Sequence, residues 1–312
     1  MSEQLYDCIV VGAGPAGLSA ALLLARYRRR VLTFHNSSPR NLYSHGVHGF
    51  LGHDGILPSE LLARGRDEVT KYAGLVIEGC VTQAERIGDE LFRVTTGDGQ
   101  TVTQTFESRR LLLATGLRDL TPDCPGFRDF YGTSVFHCPD CDGFEVTGKR
   151  VAVFGRGKMT AGFTLDLLTW TNKLTLITGG DAGDMTDEHR AKLAHFDIPI
   201  TDQSIAKLEG NTDTNQIERV RFEDGEALEC DALFFNLGTE PASDLHTMLG
   251  CKLDEECGLV WVNVEDQQTS VEGVYAAGDL TPRSQLAIVA AAEGAMAAIH
   301  IHKSLIPESQ RV

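Results

Sequence analysis

Cys138 and Cys141 flank a Pro-Asp pair, and Asp142 follows directly in the stretch His137-Cys138-Pro139-Asp140-Cys141-Asp142-Gly143-Phe144. Thiols at this spacing can close a small disulfide ring and exchange it with an incoming disulfide, and an adjacent carboxylate can move protons to and from the thiolates. The same spacing also occurs as half of a zinc site. A four-ligand site needs a second pair at similar spacing, and the chain has none. The stretch therefore reads as a redox centre, and the rest of the chain has to supply it with electrons.

The other cysteines, Cys8, Cys80, Cys124, Cys230, Cys251 and Cys257, are scattered, which suits a reducing compartment better than a secreted disulfide scaffold. A chain of 312 residues accommodates two domains of ordinary size. The formal net charge of −16 repels nucleic acid. No apolar run is long enough to span a bilayer, and the N-terminus lacks a basic leader before an apolar stretch, so no membrane partner and a cytoplasmic location are expected. The basic cluster Arg26, Arg28, Arg29 and Arg30 reads as cations favoured at a helix C-terminus, with docking of an acidic partner as the alternative.

Two stretches carry the logic of a nucleotide-binding strand, turn and helix. The apolar run Cys8 to Val11 leads into Gly12-Ala13-Gly14-Pro15-Ala16-Gly17 and an Ala/Leu-rich helix to about Arg26. Gly12 permits the tight turn, Gly14 lets the backbone approach a pyrophosphate, Gly17 allows close packing of helix on strand, and the helix N-terminus offers free N–H groups to phosphates. The next strand, Val31 to Phe34, ends in His35 and Asn36, where an acidic ribose ligand is usual. A second unit begins at Val151 to Phe154, with Gly155-Arg156-Gly157-Lys158-Met159-Thr160 and a helix to about Leu168. Here Thr160 takes the third glycine position. The strand Lys173 to Ile177 runs into Thr178-Gly179-Gly180, without an acid for a ribose or an arginine cluster for a 2′-phosphate.

Other segments must position these parts. Residues 38–55, with His45, His48 and His53, read as a loop whose histidines lie near a cofactor rather than as a metal set. An amphipathic helix is expected over 59–72, short strands follow, and a hairpin turn falls near 97–99. A buried strand ends at Ala114-Thr115-Gly116. Crossings between domains are expected near 118–122 and 237–242. Gly278-Asp279 ends a strand before a long helix from Gln285 to about His302, so Asp279 is placed either to bind a ribityl hydroxyl or to cap that helix.

With these motifs in order, the chain resembles the low-molecular-weight thioredoxin reductase family of flavoproteins, most specifically in C-x-x-C-D-G-F lying between the two dinucleotide units. The resemblance implies an α/β fold of two Rossmann-like, three-layer ββα domains, the second inserted in the first. An FAD domain would comprise 1–119 and 242–312, and 120–241 would carry the disulfide and a degenerate pyridine-nucleotide fold that swings about the crossings. It implies an FAD site drawn from Gly12, Gly14, Pro15, Ala16, Gly17, His35, Asn36, Arg40, Asn41, His48, Val81, Ala114, Thr115, Gly116, Gly278, Asp279, Gln285 and Leu286, and usually a homodimer. Electrons would pass from reduced flavin to Cys141 and Cys138, Cys138 would attack a disulfide substrate such as a thioredoxin-like protein, and Asp142 would handle protons.

Family members that use NADPH carry a complete second glycine turn and a His-Arg-Arg signature. Their absence here makes NADPH a doubtful donor and resembles relatives fed by ferredoxin or another reduced donor. The patterns Ser38-Pro39-Arg40-Asn41 and His48-Gly49-Phe50-Leu51 are similar to those of gliotoxin-type dithiol oxidases, which use oxygen. Many of those carry His after the second cysteine, whereas Asp142 follows the reductases. A reductase is thus expected. An oxygen-dependent dithiol oxidase, an NADPH-dependent thioredoxin reductase with an atypical nucleotide site, and a redox sensor without turnover stand as alternatives.

Overall fold

The computed structural model describes residues 5–98 and 101–310; the hairpin tip near 97–99 lies partly outside them. These residues form two compact units. The first takes the described residues up to Arg40, together with Gly49–Arg118 and those from Glu240 onward; the second takes Asn41–His48 and Asp119–Thr239.

In the first unit, the strand Tyr6–Val11 pairs in parallel with Val31–His35 on one side and Val102–Leu113 on the other. Successive side chains of a strand point to opposite faces, and this strand is apolar from Cys8 to Val11 because both of its faces are covered there. Cys8 and Val10 enter one core and Ile9 and Val11 the other. On the first face lie the helices Pro15–Arg26, Pro58–Lys71 and Ala287–Ser304. On the second, Val81, Ala84, Phe92 and Val94 of an antiparallel meander meet Leu245, Val260 and Val262. The result is three layers. Helices Pro15–Arg26 and Ala287–Ser304 pack so closely that a Cβ at Gly294 would lie 1.9 Å from the Ala16 carbonyl oxygen, which accounts for the glycine there and for the many alanines of both helices.

The second unit repeats the plan. A parallel sheet runs in the order Ile200–Thr201, Leu174–Ile177, Val151–Gly155, Ala232–Asn236, Val135–Phe136. One face is packed by Ala161, Leu167 and Leu193 from the helical side. The other is packed by Leu208, Ile217, Val220 and Phe222 of an antiparallel three-stranded meander.

The division differs from the expected one at Asn41–His48, which belongs with the second unit. Gly132, at φ +83°, brings its Cα so near Tyr43 that a Cβ would lie 2.2 Å from the Tyr43 carbonyl oxygen, and His45 Nδ1 is 3.1 Å from the Gly132 carbonyl oxygen. The segment has no hydrophobic period, so nothing in its own sequence indicates which unit it packs on.

Candidate active site

Cys138 and Cys141 are joined as a disulfide with their Cα atoms 5.3 Å apart. The turn that holds them begins at Cys138 and continues through the short helix Pro139–Asp142; Pro139, with no N–H to satisfy, suits its first position. The Cys141 N–H donates to Cys138 Sγ at 3.2 Å, a contact that favours negative charge on that sulfur. Upstream, the buried Asp119 carboxylate accepts from the Tyr131 hydroxyl at 2.9 Å and lies 3.8 Å from His137 Nδ1, which anchors the residue preceding Cys138. Downstream, Gly143 lies against the Trp170 indole, and its N–H donates to the Pro139 carbonyl oxygen at 2.7 Å.

Asp142 is buried. Burial pushes its carboxyl up to about 6, the positive fields of His45 and His48 pull it down, and Glu145 pushes it up. His48 Nε2 is 3.6 Å from Glu145 Oε1, and the His45 and His48 rings are 5.6 Å apart. A cavity of about 540 Å³ opens beside this group, lined by His45, Phe136, Phe144, Glu145, Lys149 and Gln216. A carboxyl that titrates near 6 can both donate and accept a proton near neutrality. Sequence reading places His48 near a cofactor and assigns no partner to Asp142. The structure sets His45, His48 and Glu145 around it.

The first glycine turn has the features of a phosphate cradle. Gly12 has φ +107°, and a Cβ there would lie 2.1 Å from the Ala114 carbonyl oxygen; a Cβ at Gly17 would lie 1.8 Å from the Gly12 carbonyl oxygen. Gly14 faces open space, and the helix that starts at Pro15 and Ala16 has no side-chain cap on its N–H groups. Ala114, Thr115 and Gly116 follow the adjoining strand, and the Thr115 hydroxyl is buried without a hydrogen-bond partner. An open cradle over an uncapped helix start, with an unsatisfied hydroxyl beside it, fits the pyrophosphate and ring edge of a dinucleotide such as FAD.

Arg40 Nη1 donates to Asp279 Oδ2 at 3.0 Å and to Gln285 Oε1 at 2.6 Å, tying the two ends of the chain together. Asp279 does not cap the last helix, whose N-cap is Leu286. Beneath it, the buried Glu293 carboxylate accepts from the Gly278 N–H at 2.7 Å and the Thr281 hydroxyl at 2.8 Å, which holds the Gly278 turn in place; sequence reading treats Glu293 only as one position of a helix.

At the end of the strand Val31–His35, the Ser37 hydroxyl donates to Glu78 at 3.1 Å and lies 3.1 Å from His35 Nδ1; Asn36 lies between. Burial and Arg66 lower the His35 pKa. The carboxylate missing from this strand is thus presented by its neighbour, in register His35↔Glu78. Asn41 and His48 belong to the second unit, and the Val81 side chain is committed to the apolar core.

The second turn differs. Thr160 is fully buried, its hydroxyl donates to the Arg156 carbonyl oxygen at 2.7 Å, and it fills the space in front of Gly155. In the first turn no Cβ is accommodated at the equivalent Gly17, so helix and strand approach differently in the two units. Two of the arginines near the first helix are engaged within the first unit: Arg26 Nη1 donates to the Tyr72 hydroxyl at 2.6 Å, and Arg29 Nη2 to the His302 carbonyl oxygen at 3.2 Å. Cys8 is fully buried and its thiol is pushed up by burial, which leaves it protonated and inert. Among the described residues, no helix is long and apolar enough to cross a membrane.

A family model described as pyridine nucleotide-disulphide oxidoreductase matches residues 6–294. Over 306 residues the sequence is 30% identical to a thioredoxin reductase of Treponema pallidum (strain Nichols), covering 95% of this chain and 96% of that one. It is 27% identical to the thioredoxin reductase aclD of Aspergillus oryzae, with 98% of each chain covered. The TrxB crystal structure from Bacillus anthracis superimposes with a TM-score of 0.87 at 31% identity, covering 96% of this chain and 98% of that one.

Proposed function

Because the chain belongs to the pyridine nucleotide-disulphide oxidoreductase family and is thioredoxin reductase-like along its length, we propose that it is an FAD-dependent thiol–disulfide oxidoreductase working through Cys138 and Cys141, with NADPH a poor donor. The observation that carries the proposal is the disulfide itself, seated beside a buried carboxyl that titrates near neutrality, on a unit whose glycine turn is filled by Thr160.

Gly12 to Gly17, Ala114 to Gly116 and the Gly278-Asp279 turn would hold FAD, which when bound would supply the electron pair for reduction of the disulfide. Cys138, with the Cys141 N–H aimed at its sulfur, attacks one sulfur of the substrate disulfide; a mixed disulfide forms and one substrate thiolate leaves. Cys141 then attacks Cys138 Sγ, the mixed disulfide breaks, the second substrate thiolate leaves, and the internal disulfide closes. Asp142 gives protons to the departing thiolates and takes them from the cysteine thiols. The substrate is a thioredoxin-like protein or another accessible disulfide. The donor is a ferredoxin or another reduced carrier, and the working form is a cytoplasmic homodimer. Anaerobic mixing of the FAD-loaded protein with NADPH tests the donor: slow and partial bleaching of the flavin band is expected, and rapid, complete bleaching removes the claim.

The placement of His45 and His48 around Asp142 favours a second reading. Where dithiol oxidases resembling this chain carry His after the second cysteine, an imidazole here reaches Asp142 from the segment Asn41–His48 instead. As an oxidase, the protein would generate peroxide from oxygen and a small dithiol. A dithiol panel with peroxide detection decides between the two readings.

A further inference from the structure

In many dinucleotide folds the helix after the glycine turn presents its free N–H groups to a pyrophosphate. In the second unit these groups already have an acceptor within the chain. The helix Gly157–Asp166 has Arg156 as its N-cap, with no side-chain cap from that residue. The Lys158 N–H donates to Asp184 Oδ1 at 2.8 Å, and the Gly157 N–H donates to the Ala182 carbonyl oxygen at 3.0 Å. Lys158 Nζ lies 3.5 Å from Asp184 Oδ2, and Arg156 Nη1 lies 3.1 Å from Asp181 Oδ2. Both cations that could meet phosphate oxygens are therefore paired with carboxylates from the segment after the strand Leu174–Ile177.

That segment is shaped for this placement. Gly179, Gly180 and Gly183 all have positive φ, and the Gly183 N–H donates to Asp181 Oδ1 at 2.9 Å. Gly157 has φ +71°, and a Cβ there would lie 2.3 Å from Asp184 Oδ1, so the carboxylate oxygen sits directly over the turn. The Lys158 N–H holds the Asp184 carboxyl below the usual carboxylate range, so it carries its charge at neutral pH. The first unit supplies the contrast: its turn is open at Gly14, and no side chain caps its helix.

We propose that Asp184 is an internal substitute for a dinucleotide pyrophosphate, and that with Asp181 and Ala182 it closes the second nucleotide site to NADPH and NADH. The proposal rests on the reading of the second unit as a nucleotide fold that does not serve NADPH. It adds the cause: beyond the absent ribose-phosphate ligands, an anion already holds the groups that would bind the diphosphate. An incoming pyrophosphate would have to displace Asp184 from Lys158 and would meet its negative charge.

The test is equilibrium binding to the FAD-loaded protein by isothermal titration calorimetry. ADP-ribose is the probe, because it carries the pyrophosphate without depending on recognition of a 2′-phosphate or of the nicotinamide. Asp184→Ala removes both acceptor and charge. Asp184→Asn keeps an acceptor for the Lys158 N–H while removing the charge, so it guards against a folding effect. Asp184→Ala is expected to bind ADP-ribose at least ten-fold more tightly than the native protein, with a smaller gain for Asp184→Asn. Affinities within three-fold of native for both variants would overturn the proposal. Anaerobic bleaching of the native flavin by NADPH is read separately. No bleaching together with no gain removes the plug and leaves the donor reading standing, whereas rapid bleaching of the native flavin by NADPH removes both the donor reading and the closure, whatever the gain.

Discussion

A Cβ on Gly143 would lie 2.7 Å from the indole carbons of Trp170, so the residue that follows Asp142 is seated on the ring face. Gly143→Ala forces either the indole or the Cys138–Asp142 turn to move, at a cost of about 1–3 kcal/mol. A lower melting temperature and at least a ten-fold slower single-turnover reduction of a disulfide substrate are expected. Flavin content should be unchanged, because the glycine cradle belongs to the other unit. A variant with native melting and native rate would show that the indole does not position the turn.

Asp142 gives a pH signature. Its carboxyl titrates at about 6 in the fold, mainly through burial, and near 4 in an unfolded chain. Between roughly pH 4 and 6 the native state keeps a proton that the unfolded state releases, so this group's contribution falls as pH rises through that window and stays low above it. Asp142→Asn removes the term. The variant should gain on the native protein by about 1–3 kcal/mol between pH 4.5 and pH 7.5, read as a widening difference in melting temperature. Its rate profile should also lose the limb near pH 6. A difference that stays constant across the range would mean the carboxyl ionises as an exposed one does.

On the proposed reading, Cys138 and Cys141 are expected to have separable roles. Cys138→Ser is expected to abolish reduction of any protein disulfide, by at least a thousand-fold, while FAD remains bound. Cys141→Ser should leave Cys138 able to attack but unable to resolve, so a mixed disulfide with the substrate accumulates and is visible by mass spectrometry under non-reducing conditions. Accumulation on the Cys138→Ser protein instead would exchange the two assignments.

Glu293 serves the other unit. Burial raises its carboxyl, and its oxygen satisfies both the Gly278 N–H and the Thr281 hydroxyl. Glu293→Ala strands these two buried donors, with a loss of about 1–3 kcal/mol, and frees the turn that carries Asp279. Weaker FAD retention on gel filtration is expected, with the Cys138–Cys141 disulfide still formed. Full flavin retention would confine Glu293 to a role in packing.

The elements are legible where local chemistry is strong. Glycine spacing and apolar runs place the first strand, turn and helix, and the last helix, expected from Gln285 to about His302, spans Ala287–Ser304. The second turn's departure at Thr160 is legible for the same reason. Pairings across long separations are not. Arg40 meets Asp279 and Gln285, Glu78 comes beside His35 through strand register, and Asp184 reaches Lys158 over a run of glycines; in each case neither partner carries a local signal for the other. The segment Asn41–His48 is the clearest case, because its histidines gain meaning only from the unit on which they pack.

The sequence by itself determined that this protein carries a redox-capable cysteine pair with a carboxylate beside it, lying along the chain between two strand, glycine-turn and helix stretches. Those conclusions depend on residues adjacent in the chain, where spacing and backbone freedom suffice. Only the tertiary structure decided that Asp142 is buried among His45, His48 and Glu145 and titrates near neutrality. It also decided that the helix start at Gly157 is held by the chain's own Asp184. A carboxyl's ionisation and the occupancy of a helix terminus depend on solvent exclusion and on neighbours in space, and these exist only once the fold has brought distant residues together.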